Sequence, residues 1–229
     1  MTDTRLTSSR YVDLLHRDGE RLLAAAEGAL DRPVPACERW RVRDVVGHLG
    51  TVFAHKVVAL EAGRRPEPGE WSGPPDGADV VQWCHGLLHR LSADLSGREA
   101  DSPVWTWWEP DQTAGFWQRR MALETAIHRV DVESAIGEVT PVPADLAVDG
   151  IDEVLHIMLA DVREFDVLGP VVDDRRVTVG IGPVHVGGSP HEVLLWLWGR
   201  DGVSDAEVEL TGSAADIDLA RRHLRAATQ

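Results

Sequence analysis

Apolar residues recur at helical spacing through the first two thirds of the chain. From Arg5 to Leu30 the apolar set Leu6, Tyr11, Leu14, Leu15, Leu22, Leu23 and Leu30 marks a first helix, which Pro33 and Pro35 end. Val45, Val46, Leu49, Val52, Phe53, Val57 and Leu60 mark a second from about Val42 to Ala62. A Pro/Gly-rich connection follows, then a third helix from about Ala78 to Leu95, striped by Val80, Val81, Cys84, Leu87, Leu88, Leu91 and Leu95. The aromatic loop SPVWTWWEPDQT leads into a fourth helix from Ala114 to Ile136, stopped by Gly137. Four helices that each carry an apolar stripe make a four-helix bundle.

The pattern changes after VTPVP. A short helix runs from about Ala144 to Ala160, and RRVTVGIGPVHVGG then alternates with β-branched residues, as strands do. SPHEVLLWLWGR reads as a helix with Ser189 as N-cap and Pro190 at the first turn. AEVELTG is a strand and SAADIDLARRHLRAA a closing helix. The reading is an α+β protein, mainly α, with a bundle over residues 1–143 and a small α/β C-terminal domain over 144–229.

Composition narrows the function. The 229 residues carry a net charge of −15, and neither half is basic, which argues against nucleic acid or an anionic membrane as partner. No apolar run is long enough to span a bilayer and no signal-type segment opens the chain, so a cytoplasmic protein is expected. Lys56 is the only lysine, which reads as coding bias toward arginine. Two cysteines beside ten histidines mean that any bound metal is held by His and carboxylate. Cys37 and Cys84 lie in no Gly-rich turn that would activate them, and structural thiols are expected.

Glu124 and His128 stand at i, i+4 on one face of the fourth helix, with Asp131 near the same face. Such a pair is common on solvated helix faces, and its spacing leaves that reading open. His48 lies on or beside the apolar stripe of the second helix, where a packed core histidine is the common case. Together the three offer two imidazoles and a carboxylate from facing helices. That is a catalytic zinc set with one open position, and one that iron or nickel could also occupy. Asp44 either supports His48 or serves as helix residue N3, and His55 could line the same cavity, although packing or solvation is the commoner role at such a position. His85 and His89 form another i, i+4 pair beside the stripe of the third helix, with no third ligand evident from spacing, and they read as surface or boundary residues; His16 has no identifiable partner. Trp105, Trp107 and Trp108 either seal the bundle end or wall a ligand pocket. Trp196 and Trp198, two apart on one helix, cannot face the same way, and Arg200 either caps that helix or reaches a substrate carboxylate.

W-x-V-R-D-V-V-G-H-L at 40–49, V-W-T-W at 104–107, F-W-x-R-R-M-A-x-E-T-A-I-H-R-V-D at 116–131 and L-L-W-L-W-G-R at 194–200 resemble the mycothiol-dependent maleylpyruvate isomerase family. The resemblance spans nearly the whole chain and keeps motif order. It implies a DinB-like metal-binding bundle joined to a small α+β domain, with His48, Glu124 and His128 as ligands of a divalent metal, usually zinc. It implies mycothiol as co-substrate and a small-molecule substrate whose carboxylate Arg200 would hold. Asp131 and Arg200 are the expected catalytic residues, with Trp105 and Trp107 expected to line the thiol site. The alternatives are a metal-dependent hydrolase and a non-catalytic module with a structural metal. A monomer or homodimer is expected. Many relatives carry Ser or Thr where this chain has Arg41, and its C-terminal domain looks short between Asp166 and Val177.

Overall fold

A computed structural model describes residues 5–162, 166–200, 202–203 and 208–228. The chain forms two compact units, Thr7–Thr140 and a second beginning at Pro141. The first holds α1 (Ser8–Ala26), α2 (Val42–Ala62), α3 (Val80–Ser96) and α4 (Ala114–Ile136). Three of these helices start on a local hydrogen bond. Thr7 Oγ1 accepts the Arg10 N–H, and Asp79 Oδ1 accepts the Val81 and Gln82 N–H groups. Arg41 offers no capping oxygen, but its own N–H donates to Asp44 Oδ2 at 2.8 Å. Asp44 is therefore the N3 carboxylate that starts α2. Gly137, at φ 81°, closes α4 in the left-handed conformation that suits glycine.

Within this unit α1 packs on α4 and α3, and α2 packs on α3 and α4. The consecutive pairs α1/α2 and α3/α4 lie across the diagonals, which the long irregular connections permit. Leu14, Leu15, Leu22, Val45, Leu49, Phe53, Leu88, Leu91 and Trp117 fill the core. Gly50 lets α2 and α3 approach, since a Cβ there would lie 2.2 Å from the Trp83 ring. α4 is buried on nearly every side, including Arg119, Arg129, Asp131 and Glu133. Its buried charges are paired: Arg129 donates to Glu133 Oε2, which also accepts the Thr140 N–H, and Arg21 reaches Glu133 Oε1 at 3.0 Å.

The second unit begins with α5 (Ala144–Glu153), whose last turn, Val154–Met158, widens to π geometry. An antiparallel sheet follows in the order β1 (Val167–Asp173), β2 (Arg176–Ile181), β3 (Val184–Gly188), β4 (Glu209–Thr211). α6 (Pro190–Leu197) and α7 (Ala214–Thr228) complete it, with α6 packed on α5. Ser189 Oγ accepts the Glu192 N–H, the cap expected for α6. The alternation reading places no strand before Val177, and β1 corrects it. Gly169 and Pro170 interrupt the β1 pattern, and Leu168, Val171 and Val172 are exposed. An edge strand tolerates both, with a register shift between Leu168 and Val171 absorbing the proline. The fold is α+β and mainly helical, with four strands among the described residues.

Candidate metal centre

One face of α2 carries His48, Val52, His55 and Lys56, at i, i+4, i+7 and i+8. One face of α4 carries Trp117, Arg120, Glu124 and His128. The α2–α4 contact brings these faces together. Glu124 Oε1 lies 3.4 Å from His48 Nε2 and 3.3 Å from His128 Nε2. The two rings meet edge to face with centroids 5.0 Å apart. These separations are long for hydrogen bonds. They match the edge of about 3.3–3.6 Å that a tetrahedron with ligand bonds of about 2.0–2.2 Å requires. One donor atom from each of His48, Glu124 and His128 falls within 4.8 Å of the others, so the three could hold a metal ion.

The electrostatics suit a cation. Burial alone would raise the Glu124 carboxyl, but the Arg120 guanidinium and the neighbouring His128 and His48 rings outweigh it and hold the group well below the usual carboxylate range. Arg120 takes Oε2, leaving Oε1 turned to the two imidazoles. Burial would lower His128, yet the Asp131 and Glu124 carboxylates push it up to about 9. Surroundings that favour an added proton on this ring favour a cation in its place. Asp131 Oδ2 contacts His128 Nδ1 at 3.0 Å and is fully buried. It thus meets the ring nitrogen that Glu124 does not, a contact of the kind by which a carboxylate can orient a ligand imidazole. The His48 side chain is 39% exposed while Glu124 and His128 are nearly covered, so the cluster is reached from the His48 side.

Lys56 and Arg120 are the residues that sequence reading passed over. Lys56 Nζ lies 4.8 Å above the Trp117 ring and 3.2 Å from His55 Nδ1. Burial lowers its pKa to about 8, with Glu124 raising and Arg120 lowering it. Burial, Lys56 and Arg65 together push His55 down to about 4. The available signals were Lys56 eight residues after His48 and Arg120 four before Glu124, each on the ligand face. His55 stacks edge-on against Trp71, centroids 4.6 Å apart, and sits 6.1 Å from Trp105. Trp105 thus borders the group around His55, and its carbonyl accepts the Trp117 Nε1–H at 2.8 Å. Trp107 is 44% exposed and packs on Phe116 and Trp108. Arg200 belongs to the second unit, buried, with NH1 donating to the Trp198 carbonyl at 2.6 Å. Trp196, in α6, lies under the Arg221 guanidinium of α7.

Fold and donor set define a class: a helical bundle with a candidate divalent-metal site on one seam, followed by a small α+β unit. Residues 12–133 match the mycothiol maleylpyruvate isomerase N-terminal domain, and residues 145–219 match the MDMPI C-terminal domain. The chain belongs to the mycothiol maleylpyruvate isomerase family. No curated protein and no solved structure matches it.

Proposed function

We propose that this protein is a zinc-dependent, thiol-using enzyme, an isomerase or S-transferase that takes mycothiol as co-substrate and a small carboxylate or electrophile as substrate. The observation that carries this reading is the convergence of His48, Glu124 and His128 in a chain of this family. A divalent ion held by them would supply the Lewis acidity that lowers a thiol pKa from about 8.5 and keeps it as thiolate at neutral pH. Among the described residues this cluster holds three donors, which favours a site open to a ligand over a closed structural one.

The remaining residues fit that chemistry. Burial pushes the Cys84 thiol up to about 12, so it is no competing nucleophile, and a small-molecule thiol takes that role. Asp131 keeps His128 oriented. Arg120 and Lys56 place positive charge beside Glu124, a field suited to an anionic substrate. Trp105 offers an aromatic wall, and Arg200 is the residue that the family resemblance pairs with a substrate carboxylate. In isomerisation the thiolate sulfur adds to the cis carbon–carbon double bond and leaves a single bond free to rotate. Elimination of the sulfur then restores the double bond as trans and returns the thiol unchanged.

The test compares metal content and turnover of maleylpyruvate, with and without mycothiol, in wild type and in His48→Ala/His128→Ala. Bound zinc and thiol-dependent turnover are expected in wild type, with the turnover lost and the bound zinc lower by one per chain in the variant. Full turnover without thiol would move the assignment to hydrolysis. No bound ion in wild type would overturn the metal reading.

A further inference from the structure

The seam of the bundle opposite α2–α4 carries a second set of donors. α1 presents His16 and Glu20 at i, i+4, and α3 presents His85 and His89 at i, i+4. Spacing alone left the His85–His89 pair without a third ligand; the packing of α1 on α3 supplies it. One donor atom each of His16, Glu20 and His89 falls within 4.8 Å of the others. His85 Nε2 joins them, 3.1 Å from Glu20 Oε1 and 3.0 Å from His89 Nε2, while His89 Nε2 is 3.2 Å from the same Glu20 oxygen. The His16 and His89 rings meet edge-on with centroids 5.1 Å apart.

Three donor atoms thus form a nearly equilateral triangle, with His16 beside it. Protons cannot serve all its edges. Glu20 Oε1 is cut off from solvent and takes no hydrogen bond, although both ring nitrogens are within 3.2 Å. A cation would satisfy all three atoms at once, since the carboxylate oxygen and each unprotonated ring nitrogen carry a lone pair. The edges of 3.0–3.2 Å are a few tenths of an ångström shorter than the tetrahedral edge of about 3.3–3.6 Å, a change within reach of side-chain rotation. Paired i, i+4 ligands on two neighbouring helices suit a chelate that pins the helices together.

We propose that His16, Glu20, His85 and His89 form a second metal site, for a zinc-class divalent ion, that clips α1 to α3. Once side-chain rotation brings His16 and His85 to one point, three imidazoles and one carboxylate would fill a tetrahedral shell, the closed form of a structural site, in contrast to the open cluster on the α2–α4 seam. The donor set is nitrogen-rich and suits zinc better than calcium or magnesium.

Zinc titration of untagged protein against a chromogenic chelator tests this. In a His48→Ala/His128→Ala background, one zinc per chain is expected to remain bound. Adding His16→Ala/His89→Ala should weaken that binding by about a hundredfold or more. Circular dichroism should stay helical, since these side chains are at the surface. Cobalt bound at this site should show the visible bands of a tetrahedral nitrogen–oxygen site. The proposal is overturned if the background variant takes up no zinc, or if the further substitutions leave its affinity unchanged. Should the background variant fail to fold, wild type against His16→Ala/His89→Ala decides the matter. A stoichiometry lower by one supports the site and an equal stoichiometry overturns it.

Discussion

Lys56 carries its charge in surroundings that disfavour it, and Lys56→Met measures the cost. Burial takes the ammonium from a pKa of 10.5 in the unfolded chain to about 8 in the folded one. A folded pKa below the unfolded one means that stability is lost as pH falls from 10.5 through 8. At pH 7 both states are protonated and the whole difference of about 2.5 units counts against the fold, about 3 kcal/mol. Losing the cation above the Trp117 ring returns about 0.5–2 kcal/mol of this. The variant should therefore be more stable than wild type at pH 7, by about 1–2 kcal/mol. By pH 9.5 wild-type Lys56 is largely neutral when folded, and the advantage should shrink by about 2 kcal/mol. The assay is urea unfolding of both proteins at pH 7 and 9.5, read as the difference between them. That difference removes Cys84, whose thiol, at about 12 when folded, lowers stability above pH 9 in both proteins alike. A variant less stable than wild type at pH 7, or a difference independent of pH, would refute the reasoning. If Lys56 serves substrate binding, the same substitution should raise KM while it stabilises the fold, as charges kept at functional sites do.

Glu124→Gln keeps the size of the side chain and removes its charge, so zinc affinity should fall at least about tenfold with helicity unchanged; equal affinity in a chelator competition would exclude Glu124 as a ligand. Asp131→Asn should lower zinc affinity or activity by about 10- to 100-fold through misorientation of His128, and an unaltered zinc isotherm together with unaltered kinetics would count against that role. Gly50→Ala places a methyl 2.2 Å from the Trp83 ring and should cost about 1–3 kcal/mol in chemical denaturation, whereas a wild-type midpoint would mean that the α2–α3 contact yields freely.

The parts of this protein that local sequence dictates are the helices and the pairs of donors one turn apart on them. α2 and α4 run from Val42 to Ala62 and from Ala114 to Ile136, the limits that apolar periodicity, Gly63 and Gly137 set. Glu124 and His128 share a face because four residues make about one helical turn, a relation that holds before any packing. Other features were illegible for identifiable reasons. β1 is exposed at a sheet edge, so no burial pattern marked it. Lys56 resembled a compositional accident until packing put the Trp117 ring under it.

What only tertiary structure decided is which helix faces meet. Local periodicity specifies a face but not its partner, since any apolar stripe can be buried against any other. The long connections seat α1 on α3 and α2 on α4. The first contact converges Glu20 with His85 and His89; the second converges His48 with Glu124 and His128. A metal site needs donors within a few ångströms of one point, and across helices far apart in the chain that distance is a property of packing.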